Sequence, residues 1–172
     1  MFSTVEELGA IEAIRQLMAR RLRAMDTKDW ELYGTVHTED VIVESFEDHP
    51  DGAKPNAGGV SGRVVGRENV TEVIRSLMDD PVPMTSVHHV HSSEIGFKSP
   101  DSASGIWALE DRLWWQNGDT RESLHGFGHY HEEYRRESGI WKISRRRLAR
   151  YAVTSTPNFF VRIQRAAEEK RR

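Results

Sequence analysis

Apolar positions recur at helical spacing early in the chain and alternate with polar ones over most of its second half. Ser3 and Thr4, each followed three residues on by Glu6 or Glu7, have the form of a capping box. Ile11, Ile14, Met18 and Met25 then mark one face of a helix. Arg21 falls on the same stripe, where a buried charge needs a partner or a cavity. Asp26 closes this helix, at the end where the macrodipole favours cations over carboxylates, which argues for a specific role. A short helix is predicted at roughly 29–36, carrying Trp30, Leu32, Tyr33 and Val36. Residues 41–46 read as a first strand, and Val64 and Val65 as a second that ends at Gly66. Between them, residues 47–59 (EDHPDGAKPNAGG) form a long Gly/Pro/Asn/Asp loop, expected to act as a flap. A third helix begins at Arg67, with Val70, Val73, Ile74 and Leu77 as its apolar face, and Pro81 and Pro83 close it.

From residue 84 the pattern changes to long strands, at roughly 84–98, 103–116, 121–136 and 140–153. The turn signals SPDS, QNGD and ESG separate them and predict hairpins in a largely antiparallel sheet. Side chains alternate between faces, so His88 points one way and His89 and His91 the other. Trp107, Leu109, Asp111, Leu113 and Trp115 share a face on which Asp111 is the one charge; Arg150 or a histidine is its expected donor. In the third long strand, His125, Phe127, His129 and His131 oppose Gly126 and Gly128, and two small residues there suggest a bend or a close approach. In the fourth, the arginines at 145–147 split between two faces, with Glu132, Glu133 and Glu137 as expected partners. The tail from Asn158 reads as a helix or arm with an apolar start and a charged end.

At 172 residues the chain fits a single domain spanning 1–172, with 156–172 as a C-terminal arm. The balance of 24 basic and 27 acidic residues gives no electrostatic case for nucleic acid. The absence of cysteine removes thiolate and disulfide chemistry. No apolar leader or membrane-length run is present, so a cytoplasmic protein with no membrane partner is expected.

The chemistry that remains is a carboxylate at a helix end and a histidine on an inward strand face. Asp26 accepting from one ring nitrogen of His88 would fix the tautomer and leave the other nitrogen as a general base. Such a base can remove a proton next to a carbonyl or a leaving group, with Arg150 stabilising the negative charge that develops. Neither step needs a metal or organic cofactor, and none is expected.

The element order, with the segments AMDTKDWELY, SVHHVHSSEI, WALEDRLWW and RRLARY, resembles the nuclear-transport-factor-2-like superfamily, also called SnoaL-like, over about residues 8 to 155. The likeness is nearest to the bile-acid 7α-dehydratase branch, with scytalone dehydratase and hexachlorocyclohexane dehydrochlorinase more distant. It implies an α+β fold: a cone-shaped, curved, mostly antiparallel sheet wrapped around N-terminal helices, nuclear-transport-factor-2-like and cystatin-like. It also implies a deep pocket, a catalytic set of Asp26, His88, Asp111 and Arg150, and a homodimer or homotrimer. One position departs from the dehydratase pattern: Arg21 stands where that branch has a tyrosine, five residues before the aspartate. Either Tyr33 or Tyr130 supplies the missing hydroxyl, or the chemistry differs from that branch.

The expected function is a dehydratase-like lyase or isomerase acting on a polycyclic or aromatic small molecule. Arg21, Trp30, Tyr33, Trp107 and Tyr130 are the expected substrate-binding residues. Two other classes fit parts of the pattern. One is a small-molecule-binding protein of the same fold without catalysis. The other is a metal-binding β-protein, because His89-x-His91 and His129-x-His131 each present two imidazoles on one strand face. A homo-oligomer is also expected from apolar surface at Trp114 and at Phe159, Phe160 and Val161.

Overall fold

The computed structural model describes residues 3–45 and 62–161. The expected flap at 47–59 and the arm beyond Val161 lie outside them. Helix α1 (Thr4–Asp26) starts at the expected capping box: the Ser3 hydroxyl accepts from Glu6 N–H, and the Glu6 carboxylate accepts from Ser3 N–H at 2.9 Å. Helix α2 (Trp30–Thr35) is capped by Asp29, which accepts from Leu32 N–H. Strands β1 (His37–Ser45) and β2 (Gly62–Val65) follow, then helix α3 (Arg67–Asp79). The chain ends in β3 (Thr85–Ser99), β4 (Ser102–Asn117), β5 (Thr120–Glu137) and β6 (Ile140–Ser155).

These strands make one six-stranded, unclosed sheet in the order β2-β1-β6-β5-β4-β3. The last four strands are joined by antiparallel hairpins, as their turn signals predict. The sheet is nevertheless mixed, because β1 runs parallel to β6. β1 also starts four residues before the predicted 41, since His37 already pairs opposite Ile143. Register shifts fall between Val90 and Ser93, between Phe127 and Gly128, and between Glu133 and Tyr134. Such bulges sharpen local twist and bend strands, which curves the sheet around what lies inside it.

Inside lies α1. Its buried face, Ile14, Leu17, Met18, Arg21, Leu22 and Met25, packs with Trp107, Leu109, Tyr130, Tyr134, Trp141 and Ile143 of the sheet. Burying each large aliphatic side chain of this face contributes about 1.5–3 kcal/mol, so the helix is held to the sheet by its own stripe. A smaller core joins Met78, Met84, Trp115, Leu124 and Phe159. Phe159 therefore corrects the expectation of an exposed apolar tail: it is 2 % exposed, and its carbonyl accepts from the Trp115 indole N–H at 3.1 Å.

Candidate active site

The end of α1 meets the start of β3 at the Asp26 carboxylate. His88 Nδ1 lies 2.6 Å from Asp26 Oδ1. The same oxygen accepts from the Ser86 hydroxyl at 2.7 Å, and Oδ2 accepts from His88 N–H at 3.0 Å. Ser86 and His88 are two residues apart, so strand alternation puts both on the face turned to the helix. Burial pushes the Asp26 carboxyl up, but the His88 ring, the Ser86 hydroxyl and the His88 N–H outweigh it, and the net direction is down. A carboxylate at this distance requires a proton on Nδ1. The neutral ring then carries its lone pair on Nε2, the tautomer a base needs.

His88 pairs in register with Asp111 on β4, and Asp111 with Gly126 on β5. Asp111 is buried and forms an ion pair with Arg150 of β6. Arg150 reaches it across β5 only because residue 126 has no side chain. A Cβ there would overlap Asp111 Oδ1 and stand 2.9 Å from Arg150 Nε. The four expected catalytic side chains therefore form two pairs, Asp26 of α1 with His88 of β3 and Asp111 of β4 with Arg150 of β6, and His88 and Asp111 are cross-strand neighbours.

The expected binding residues divide. Arg21 is 0 % exposed; its Nη2 lies 3.3 Å from Glu132 Oε1 and donates to Met18 Sδ at 3.2 Å. Its guanidinium also stands over the Tyr130 ring, 4.3 Å from the centroid. Tyr33 is buried, and its hydroxyl accepts from Arg146 Nη1 at 3.0 Å. Trp107 is committed to the core, with its indole N–H donating to the Tyr134 hydroxyl at 2.7 Å. That hydroxyl donates in turn to Glu132 Oε2 at 2.7 Å. Burial and the Glu132 carboxylate push the Tyr134 phenol well above its usual range, so it stays a donor. Trp30 stands apart, half-buried, with its N–H on Asp79 at 2.9 Å and its ring edge-on to Tyr33.

Ser86, Glu132, Tyr134, Arg146 and His37 belong to this inner wall without having been singled out for it from the sequence, whereas Gly126 is a close approach of the kind expected there. Strand parity with His88 signals Ser86, and parity with Tyr130 signals Glu132 and Tyr134. The expected partners of the 145–147 triplet are corrected: Glu132 turns inward to Arg21, and Arg145 binds Glu44 on β1 at 2.6 Å. The outer histidines do not join the site. His89 and His91 are exposed on β3, and β4 separates them from His129 and His131 on β5. Among the described residues no three His, Asp or Glu side chains converge as metal ligands. Nor is any described helix long and apolar enough to cross a membrane.

Comparison with known proteins agrees with this architecture. A model of the SnoaL-like domain matches residues 6–147, and the chain belongs to that family. Similar solved structures include a candidate scytalone dehydratase from Novosphingobium aromaticivorans, at TM-score 0.72 and 18% identity over 88% of this chain and 91% of that one. A hexachlorocyclohexane dehydrochlorinase from Novosphingobium barchaimii gives TM-score 0.72 and 19% identity over 90% and 95%. A nuclear-transport-factor-2-like protein with a cystatin-like fold, from Novosphingobium aromaticivorans, gives 0.61 and 20% over 85% and 84%. At such identities the likeness concerns the fold.

Proposed function

We propose that this protein is a cofactor-independent lyase or isomerase, dehydratase-like, in which His88 is the general base and Asp26 its orienting partner. The observation that carries the reading is the 2.6 Å contact between His88 Nδ1 and Asp26 Oδ1, with the carboxylate further fixed by Ser86 and the His88 N–H. His88 Nε2 takes a proton from a carbon next to a carbonyl, and the electron pair left behind becomes an enolate. Loss of a β-leaving group, or return of the proton to another carbon, completes elimination or isomerisation. Arg150, which reaches across β5 to Asp111 next to the base, stabilises the enolate oxygen while Asp111 positions it. Aromatic side chains on the inner wall suit a cyclic or aromatic substrate.

The test is proton NMR in D₂O with a panel of cyclic ketones and β-hydroxy carbonyl compounds. Deuterium wash-in or elimination should occur with the wild type and not with His88→Ala. Equal activity in the two proteins would overturn the assignment. The reading extends to one domain working as a homodimer or homotrimer, supported by Ile106, Tyr151 and Val153 exposed on the strands. Light scattering at 19.8 kDa would count against the assembly.

A further inference from the structure

Beyond the dyad, the inner wall holds a second polar cluster whose bonding is incomplete. Arg21 Nε and Nη1 are fully buried and have no hydrogen-bond partner among the described residues. Arg146 is 5 % exposed, and among the described residues its one hydrogen-bond acceptor is the neutral Tyr33 hydroxyl. Its cross-strand neighbour Glu132 faces Arg21 and Tyr134 instead. Arg150 already has Asp111. Among the described residues Arg146 is thus a buried cation with no carboxylate of its own. Both guanidiniums address the Tyr130 ring, at 4.3 Å for Arg21 and 6.0 Å for Arg146.

His37 completes the cluster. It is fully buried, with Nδ1 2.8 Å from Tyr33 O and its ring 4.9 Å from the Tyr33 ring. Burial, with the Arg146 and Arg21 guanidiniums, pushes its pKa well below the usual range. The neutral ring donates from Nδ1, and Nε2 is left without a partner among the described residues. Buried donors and a buried cation are normally matched. Among the described residues of this cluster, Arg21 Nε and Nη1, His37 Nε2 and Glu132 Oε1 are left without a hydrogen bond.

We propose that Arg21 and Arg146 form an anion-binding subsite that takes the carboxylate of an aromatic or cyclic carboxylic acid. The subsite deepens the proton-abstraction reading and rests on it for the position of the reacting carbon. His88 is level with Gly126 of β5, about 10 Å away across the sheet, and Tyr130 lies four residues, about 13 Å, further along that strand. An acid group at Arg21 and Arg146 with an acidic C–H at His88 Nε2 therefore calls for an extended, polycyclic framework rather than a single ring. An anion held there also keeps the substrate's charge away from the Asp26 carboxylate.

Thermal melting with benzoate and its neutral isostere benzamide tests the subsite without knowledge of the substrate. Benzoate should raise the wild-type Tm, by about 5–10 °C at a hundredfold excess over Kd, and benzamide should not. Arg146→Met loses the Tyr33 hydroxyl contact and the 6.0 Å approach to the Tyr130 ring but no carboxylate partner among the described residues, so it should fold and lose the benzoate shift. Arg146→Lys keeps the charge and should retain a weakened shift, which serves if the methionine variant does not fold. His88→Ala should keep the full shift, so failure of the base assignment would leave this result standing. No response to benzoate, an equal response to benzamide, or an undiminished shift in Arg146→Met would overturn the proposal.

Discussion

Asp26 and Glu132 are two carboxylates at the interface of α1 with the sheet, and they are satisfied to opposite degrees. Asp26 receives the His88 ring, the Ser86 hydroxyl and a backbone N–H, all within 3.0 Å. Glu132 accepts from Tyr134, but its Oε1 faces Arg21 at 3.3 Å without an aligned hydrogen bond, and two more Arg21 donors go unused. The first region is complete without a ligand and holds one imidazole in one tautomer. The second is incomplete without one. Preorganisation suits the group that moves a proton, and unspent hydrogen bonds suit the group that recognises a substrate.

Breaking each region should therefore give a different signature. The largest effect belongs to His88→Ala: turnover of any substrate found should fall by about 10²–10⁴-fold, with the circular dichroism spectrum unchanged. Glu132→Gln acts on stability instead. It leaves the buried Arg21 cation without its carboxylate, and urea unfolding should show a loss of about 3–5 kcal/mol. Gly126→Ala forces Asp111 and Arg150 apart, and overpacking of this kind costs about 1–3 kcal/mol by the same measurement.

Asp26→Asn sharpens the comparison through pH. The Asp26 pKa is lowered in the folded state, so its ionised form stabilises the protein above about pH 4, and that contribution is lost as pH falls through the folded value. The Tm gap between wild type and Asp26→Asn should be widest at neutral pH and close below about pH 4. The smallest effect belongs to the outer surface. Arg135→Gln removes a contact with Asp40 that is 2.6 Å long but solvated, and should cost under about 1 kcal/mol.

The dyad was legible in the sequence because it depends on local rules. A capping box fixes where α1 begins, its stripe runs to Asp26, and strand parity turns His88 inward. The hairpin order was legible for the same reason. Arg146 was not. With Trp141 and Ile143 inward, regular alternation would place Arg145 inward and Arg146 outward. The register shift near Ser144 reverses that parity, so Arg145 meets Glu44 while Arg146 turns to Tyr33. The partnership of Arg21 with Glu132 depends on which strand lies under α1, which spacing along the chain does not encode. Phe159 reads as surface because the smaller core that receives it is assembled from α3, β4 and β5 and the turns beside them.

The most direct measurement is long-range ¹H–¹⁵N NMR of the His88 imidazole, assigned by comparison with His88→Ala and recorded at a pH where the ring is neutral. A proton on Nδ1 and a bare Nε2 are expected in the wild type, with that preference lost in Asp26→Asn. A proton on Nε2 with Nδ1 bare would contradict the Asp26–His88 base.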